Sequence, residues 1–176
     1  NNNHYNHSTL DFIKDTEVVG VAVDPTAGLT VEAKEVEIQL AKQYPFIDVD
    51  FQRLKERNKD TVGWLKVGAV NLDIPIVQTT DNDYYLTHDF DGNVNALGWV
   101  FADARSNTEA PGFNTVLYGH NAATRTMFGS LKGLLEINDV EKREATETIQ
   151  FNTLHTQGVY EIVSVYVTQY TDWEYV

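Results

Sequence analysis

The sequence predicts a mainly β fold with short helices (α+β), arranged as a barrel or a sandwich. Three observations carry this prediction. From residue 60 onwards, short runs rich in Val, Ile, Leu and aromatic residues alternate with turns built from Gly, Asn and Asp. Helical spacing is clearest before residue 60. Several connections between the predicted strands are too short for a crossover helix, which argues against a doubly wound parallel sheet.

The first predicted helix begins after Thr30, which is a suitable N-cap, and ends at Pro45. Its apolar residues follow helical spacing: Ala33, Val36, Leu40 and Tyr44. The polar residues at the start of the chain give no clear period, so we interpret residues 1–29 as a flexible or extended N-terminal segment.

A second helix is predicted to start after Asp48 or Asp50, either of which can cap it. It places Phe51 and Leu54 inward and ends near residues 58–60. Together the two helices form a predicted helical addition over residues 30–59, followed by strands over residues 60–176.

The strand region opens with a predicted hairpin. Residues 64–67 form one strand, residues 68–71 the turn, and residues 72–77 the second strand. Pro75 donates no backbone hydrogen bond, so the second strand is expected to lie at an edge or to carry a bulge at that residue.

Later elements follow from the same signals. Asp81 is expected to cap a short helical turn that holds Tyr84, Tyr85 and Leu86, and residues 89–93 read as a turn. The remaining predicted elements are strands over 97–102, 115–118 and 148–151, helices over 126–135 and 138–145, and a strand over 159–167. Because one face of that last strand is mostly apolar, it is expected to be buried on at least one side.

Composition excludes several classes of protein. The 176 residues are 42% hydrophobic and 11% aromatic, enough for a packed core in one domain. The net charge of −13 disfavours nucleic acid and anionic lipid as partners, because both would be repelled. The sequence contains no cysteine, which excludes disulfides, thiolate metal sites and a thiol nucleophile within these residues.

His120 is the leading catalytic candidate, because a β-rich run delivers it at a strand end, after Gly119. Serine nucleophiles are disfavoured, since Ser130 lacks the glycines of a nucleophile elbow and Gly133 stands where an S-x-x-K motif needs lysine. A lone histidine in such a place is more often structural than catalytic, so the rest of the chain has to decide.

Metal sites have poor spacing. Asp89, Asp91 and Asn93 copy the start of an EF-hand loop, but Val94 and Val100 stand where that loop needs glycine and glutamate. A metal-dependent hydrolase that uses His88, Asp89 and His120 is the weakest hypothesis. We expect no metal and no cofactor.

Several segments in unbroken order resemble class B sortases, the cysteine transpeptidases of Gram-positive surfaces. They are residues 60–67, 74–78, 81–86 with 88–90, 98–105 (G-x-x-F-x-D-x-R), 114–121 with Met127-Phe128, and 159–166. The resemblance covers about residues 30–176. It implies a sortase-type β-barrel with an N-terminal helical addition.

The resemblance also implies roles for individual residues. His120 matches the family's general acid/base, and Asn82, Leu86 and Tyr118 match positions that line the peptide groove. Tyr175 and Val176 resemble an aromatic-aliphatic pair that contacts substrate, with a one-residue shift. The family's cysteine and arginine lie on the seventh and eighth strands; Arg105, Arg125 and Arg143 do not occupy that arginine's motif position.

We therefore expect this chain to be the N-terminal part of a class B sortase that lacks the last two strands. The resemblance implies cleavage of a sorting signal through a cysteine thioester and transfer to an amine of a peptidoglycan cross-bridge or a pilin. The site of action would be the outer face of the cell membrane, with an N-terminal anchor outside this chain. The chain alone is expected to be inactive and to self-associate through exposed strand edges. The alternative is a sortase-like module that binds a peptide without cutting it.

Overall fold

The computed structural model describes residues 47–110, 114–137 and 148–167. In this part of the chain six strands form one sheet, in the order β4-β3-β2-β1-β5-β6. The strands are β1 (Thr61–Val67), β2 (Leu72–Val77), β3 (Phe101–Ala102), β4 (Leu117–Tyr118), β5 (Thr148–Thr153) and β6 (Gln157–Glu161). Two short α-helices, α1 (Phe51–Arg57) and α2 (Lys132–Leu135), and three 3-10 turns (Gly68–Val70, Tyr84–Leu86 and Phe128–Leu131) accompany them. The prediction of a mainly β fold with short helices is confirmed.

Neighbouring strands are antiparallel except β2 and β3, which run parallel. No helix in the described ranges is long and apolar enough to span a bilayer. The predicted helices over 30–44 and 138–145, the N-terminal segment 1–29, and Tyr175 and Val176 all lie outside the described residues.

Helix α1 forms as its sequence predicts. The Asp50 carboxylate, rather than that of Asp48, accepts the backbone N–H of Arg53 at 3.1 Å and caps the helix. Leu54 is completely buried in the core. At the other end, the Arg57 guanidinium forms two 2.6 Å hydrogen bonds with Asp91 and so ties the helix to a later loop.

The β1–β2 hairpin is also confirmed, with Trp64 opposite Pro75. Strand β2 pairs with β3 only at its last residue, Val77, so Pro75 lies where the described sheet offers a strand on one side only. The free carbonyl of Pro75 accepts a 2.9 Å hydrogen bond from the Trp99 indole N–H. Strand β2 is thus neither an edge strand of the described sheet nor bulged at Pro75, in contrast to the sequence prediction. The proline is tolerated because no described strand pairs with it on the side facing β3.

Two predicted strands are shorter than the sequence indicates. Within residues 97–102 only Phe101–Ala102 is a strand, because Gly98 takes φ = +54° and breaks the extended backbone. A Cβ at Gly98 would lie 2.2 Å from the Tyr85 carbonyl oxygen, so this residue must be glycine. Within residues 115–118 only Leu117–Tyr118 pairs, since its partner β3 is equally short.

The helix predicted over 126–135 is divided. Met127 takes φ = +48°, which no helix allows, so helical structure starts only at the 3-10 turn Phe128–Leu131 and continues as α2. A 3-10 turn has three residues per turn and an α-helix has 3.6, so side chains that would share one face of a continuous α-helix are rotated apart here. Phe128 and Leu131 pack against the core, whereas Leu135 remains 46% exposed.

The prediction of a buried strand over 159–167 is wrong. Strand β6 ends at Glu161, and on the predicted apolar face Val163 is 96% exposed and Val167 70%. The reason is topological. Strand β6 is an end strand of the described sheet, so no further described strand pairs with it and the chain after Glu161 leaves the sheet.

Candidate active site

His120 lies two residues after β4, at the end of the sheet. Gly119 precedes it and permits close packing, because a Cβ there would meet the Phe128 ring at 2.8 Å. The half-buried imidazole of His120 places Nε2 2.8 Å from the carbonyl oxygen of Leu86, 34 residues away. A carbonyl oxygen only accepts, so Nε2 carries the proton and Nδ1 keeps the lone pair of the neutral ring.

The acceptor of this hydrogen bond belongs to a well-fixed turn. The Asp81 carboxylate accepts the backbone N–H groups of Tyr84 at 2.9 Å and Asp83 at 2.8 Å, as predicted for a capping residue. These bonds hold the pKa of Asp81 below its usual value. The turn leaves the Leu86 carbonyl facing His120 and the Leu86 side chain 39% exposed.

The backbone after His120 folds back on itself. The Gly129 N–H donates to the His120 carbonyl at 3.1 Å, and Asn121 pairs with Met127 in an isolated bridge. Gly129 approaches Ala122 so closely that a Cβ would lie 2.1 Å from its carbonyl oxygen. The packing of Gly119 before His120 and these contacts after it therefore fix the backbone of this segment.

A buried carboxylate lies behind this site. Asp103, only 2% exposed, directly follows β3 and accepts hydrogen bonds from three other residues, and we call these four residues the Asp103 cluster. Arg105 donates its backbone N–H and its Nε to Oδ1 at 2.8 and 3.0 Å, and its Nη2 to Oδ2 at 2.9 Å. The Tyr118 hydroxyl and the Asn82 amide donate to Oδ2 at 2.9 and 3.1 Å.

Electrostatics in the Asp103 cluster follow from these bonds. The Arg105 guanidinium and, less strongly, the Tyr118 hydroxyl hold the pKa of Asp103 far below its usual range. Burial raises the pKa of Tyr118, and its hydrogen bond to the carboxylate raises it further. At neutral pH the cluster is therefore a carboxylate, a guanidinium and a neutral phenol.

The residues predicted for a peptide groove lie on two facing segments. Leu86 contacts His120 through its carbonyl, while Asn82 and Tyr118 meet at Asp103. The other end of the Asn82 amide accepts the Ala104 N–H at 2.8 Å, so both of its polar ends are bonded within the protein. Peptide contacts of these residues stay predictions.

Sequence reasoning assigned no role to Asp103, although the residue stands in the quoted G-x-x-F-x-D-x-R pattern. That pattern was the available signal. Its glycine is the positive-φ Gly98, its phenylalanine is the buried Phe101, and its acidic and basic residues are the paired Asp103 and Arg105.

Arg105, Arg125 and the acidic residues of the EF-hand-like stretch bind other groups of the protein. Arg105 binds Asp103, Arg125 forms an ion pair with Glu136, and Arg143 lies outside the described residues. The Asp89 carboxylate accepts the backbone N–H groups of Asp91 and Asn93 at 3.0 and 2.9 Å, which makes the EF-hand-like stretch a self-bonded turn. The described residues contain no group of three metal-ligating side chains.

The depressed pKa of Asp103 predicts a pH-dependent contribution to stability. A carboxylate whose pKa is lowered by folding stabilises the protein above its unfolded pKa, about 3.9, and loses that contribution as the pH falls further. Urea unfolding at pH 7, 4 and 3 should therefore show Asp103→Asn less stable than wild type at pH 7, with the gap narrowing at pH 3. A gap of constant size across this range would contradict the assignment.

Known proteins resemble this chain. The sortase domain family model matches residues 65–176. Sortase B of Listeria monocytogenes is 36% identical over 127 residues, which cover 72% of this chain and 50% of that protein. The chain spans about half the length of the curated relatives it matches.

Solved structures agree with this similarity. A Bacillus anthracis protein similar to sortase B superposes with a TM-score of 0.63 at 33% identity, covering 82% of this chain and 71% of that one. A Staphylococcus aureus sortase B–substrate complex superposes with a TM-score of 0.58 at 28% identity, covering 73% and 58%.

Proposed function

This chain belongs to the sortase family, and from that membership we propose that it supplies the histidine-bearing part of a class B sortase, a cysteine transpeptidase. The observation that carries the proposal is the geometry of His120. Its Nε2–H is bonded to the Leu86 carbonyl, which leaves the Nδ1 lone pair free to take and return a proton.

The proposed reaction has two transfers. A cysteine thiol gives its proton to Nδ1 of His120, and the thiolate attacks the carbonyl carbon of a threonine in a sorting signal. The amide C–N bond breaks, its nitrogen takes the proton from Nδ1, and a thioester remains. An amine then attacks the thioester, forms the new amide and releases the thiol. Because the 176 residues contain no cysteine, the nucleophile has to come from outside them.

The peptide groove in this proposal runs along the turn that contains Leu86. The Leu86 side chain, 39% exposed, offers an apolar surface next to the carbonyl that binds His120. Since the hydroxyl of Tyr118 is bonded to Asp103, Tyr118 would contact a peptide through its ring rather than through a hydrogen bond. Tyr175 and Val176 enter the groove in the proposal through the family resemblance alone.

Partners and location follow from the same proposal. The donor is the sorting-signal peptide of a surface protein, and the acceptor is an amine of a peptidoglycan cross-bridge or a pilin. The net charge of −13 suits an amine-bearing acceptor. The site of action is the outer face of a Gram-positive cell membrane.

The 176-residue chain itself tests the proposal. We expect no cleavage of a panel of threonine-containing fluorogenic sorting peptides, with or without a glycine peptide as acceptor, because the thiol is missing. Fluorescence anisotropy should nevertheless detect peptide binding. Turnover above that of a His120→Ala control would contradict thiol-dependent catalysis, and absence of binding to every peptide would contradict the groove.

A further inference from the structure

We propose that Asp103 is a positioning residue for His120, which it holds at a fixed separation from Leu86. The inference rests on the proposed function, because it concerns the imidazole that would move protons there. Asp103 does not touch His120, and it acts through Tyr118 and Asn82.

Two segments near His120 are linked to each other at two places. Residues 82–86 and 118–120 are joined at one end by Asp103, which binds Asn82 and Tyr118 with the same oxygen, Oδ2. They are joined at the other end by the hydrogen bond from His120 to Leu86. The two segments and the two links form a closed ring of contacts. The link through Asp103 therefore restricts the geometry of the hydrogen bond between His120 and Leu86.

The backbone of Asp103 is anchored on both sides. Its backbone N–H donates to the Val116 carbonyl at 2.9 Å, next to β4. Its carbonyl accepts the Gln78 amide at 2.7 Å, and Gln78 also donates to Ser106 at 2.8 Å and accepts from Thr108 at 2.9 Å. The carboxylate therefore starts from an anchored backbone, which fixes the point where Asn82 and Tyr118 meet it.

The Asp103 cluster requires an ionised carboxylate at its centre. Both oxygens of the Asp103 carboxylate accept hydrogen bonds, five in total, from N–H and O–H groups of its neighbours. An ionised carboxylate can accept at both oxygens, whereas an amide can accept at only one of the two positions. In Asp103→Asn one oxygen becomes an NH2 group that faces donors, so at least two of these bonds are lost. The shape of the side chain is kept, which makes this variant a test of the acceptor and its charge.

The experiment measures how fast the Nε2 proton of His120 exchanges with water, by NMR of the uniformly ¹⁵N-labelled chain at mildly alkaline pH. We expect Asp103→Asn to accelerate exchange about tenfold or more, because loss of a hydrogen bond to a charged group changes an equilibrium constant by about that factor. The matched control is Asp91→Asn, which breaks a bidentate pair with Arg57 between α1 and a later loop. This control should leave the exchange rate within about twofold of wild type.

The Asp103→Asn amide can keep its oxygen at the position of Oδ2, where Asn82 and Tyr118 donate, and lose only the two Arg105 bonds at Oδ1. An exchange rate within about twofold of wild type in both folded Asp103→Asn and Tyr118→Phe would therefore overturn the proposal. Should Asp103→Asn fail to fold, Tyr118→Phe decides, because it removes the link to β4 and keeps the ring. Faster exchange in Tyr118→Phe supports the proposal, and an unchanged rate overturns it. The measurement needs neither peptide nor thiol, so failure of the proposed catalysis would be seen separately, as absent peptide binding.

Discussion

Gly129→Ala is expected to destabilise the protein by about 3 kcal/mol and to displace the segment that carries His120. The methyl group would lie 2.1 Å from the Ala122 carbonyl oxygen and 2.8 Å from the Ala122 nitrogen, both of which are backbone atoms. Backbone cannot rotate away as a flexible side chain does, so the turn has to open. The hydrogen bond from the Gly129 N–H to the His120 carbonyl would be strained with it.

Gly68→Ala is the matched control, because a Cβ there meets nothing within 4 Å and the residue lies in a short 3-10 turn. We expect its unfolding free energy to stay within about 1 kcal/mol of wild type. Urea unfolding measures both variants, and the Gly129→Ala melting temperature should fall by roughly 6–12 °C. Equal stability of the two variants would contradict the close approach of Gly129 to Ala122.

His120→Ala is expected to have the largest effect on catalysis. In a form of the protein that carries the thiol, the variant should lower kcat/KM by about 10²–10⁴-fold, the usual contribution of a general acid/base. The thiol would lose its proton acceptor, and the leaving amide nitrogen would lose its proton donor. Peptide affinity should change little, because the Leu86 side chain and the Tyr118 ring remain.

The control for this variant is His155→Ala, which removes an exposed imidazole from the turn between β5 and β6. Its kcat/KM should match that of wild type. Steady-state turnover of a fluorogenic sorting peptide measures both. A loss of activity that is equal in the two variants would contradict the role of His120.

Local chemistry made several parts of the fold predictable. Asp50 and Asp81 cap the elements that the sequence indicates, because capping depends on residues two or three positions away. The β1–β2 hairpin follows in the same way from its turn residues.

Elements that depend on distant residues were less predictable. The alternation over 159–167 tells which side chains share a face, but not whether another layer covers that face. The positive φ of Met127, unusual for a residue with a side chain, leaves no mark in the sequence, and it moved the start of the predicted helix.

The same contrast holds at the site. His120 was found from its strand end and from the family resemblance, which is a signal within a few residues. Its bond to Leu86 crosses 34 residues, and Asp103 reaches Asn82 across 21, so spacing along the chain gave no indication of either contact. Only the fold brings these groups together.

The most direct test of the account is the intact mass of the thiol-bearing protein after it has been mixed with a threonine-containing sorting peptide. The account predicts an adduct equal to the acyl part of the peptide, which a glycine-peptide amine discharges and which forms far more slowly in His120→Ala. Peptide cleavage without any such adduct, at a rate that thiol alkylation leaves unchanged, would contradict it.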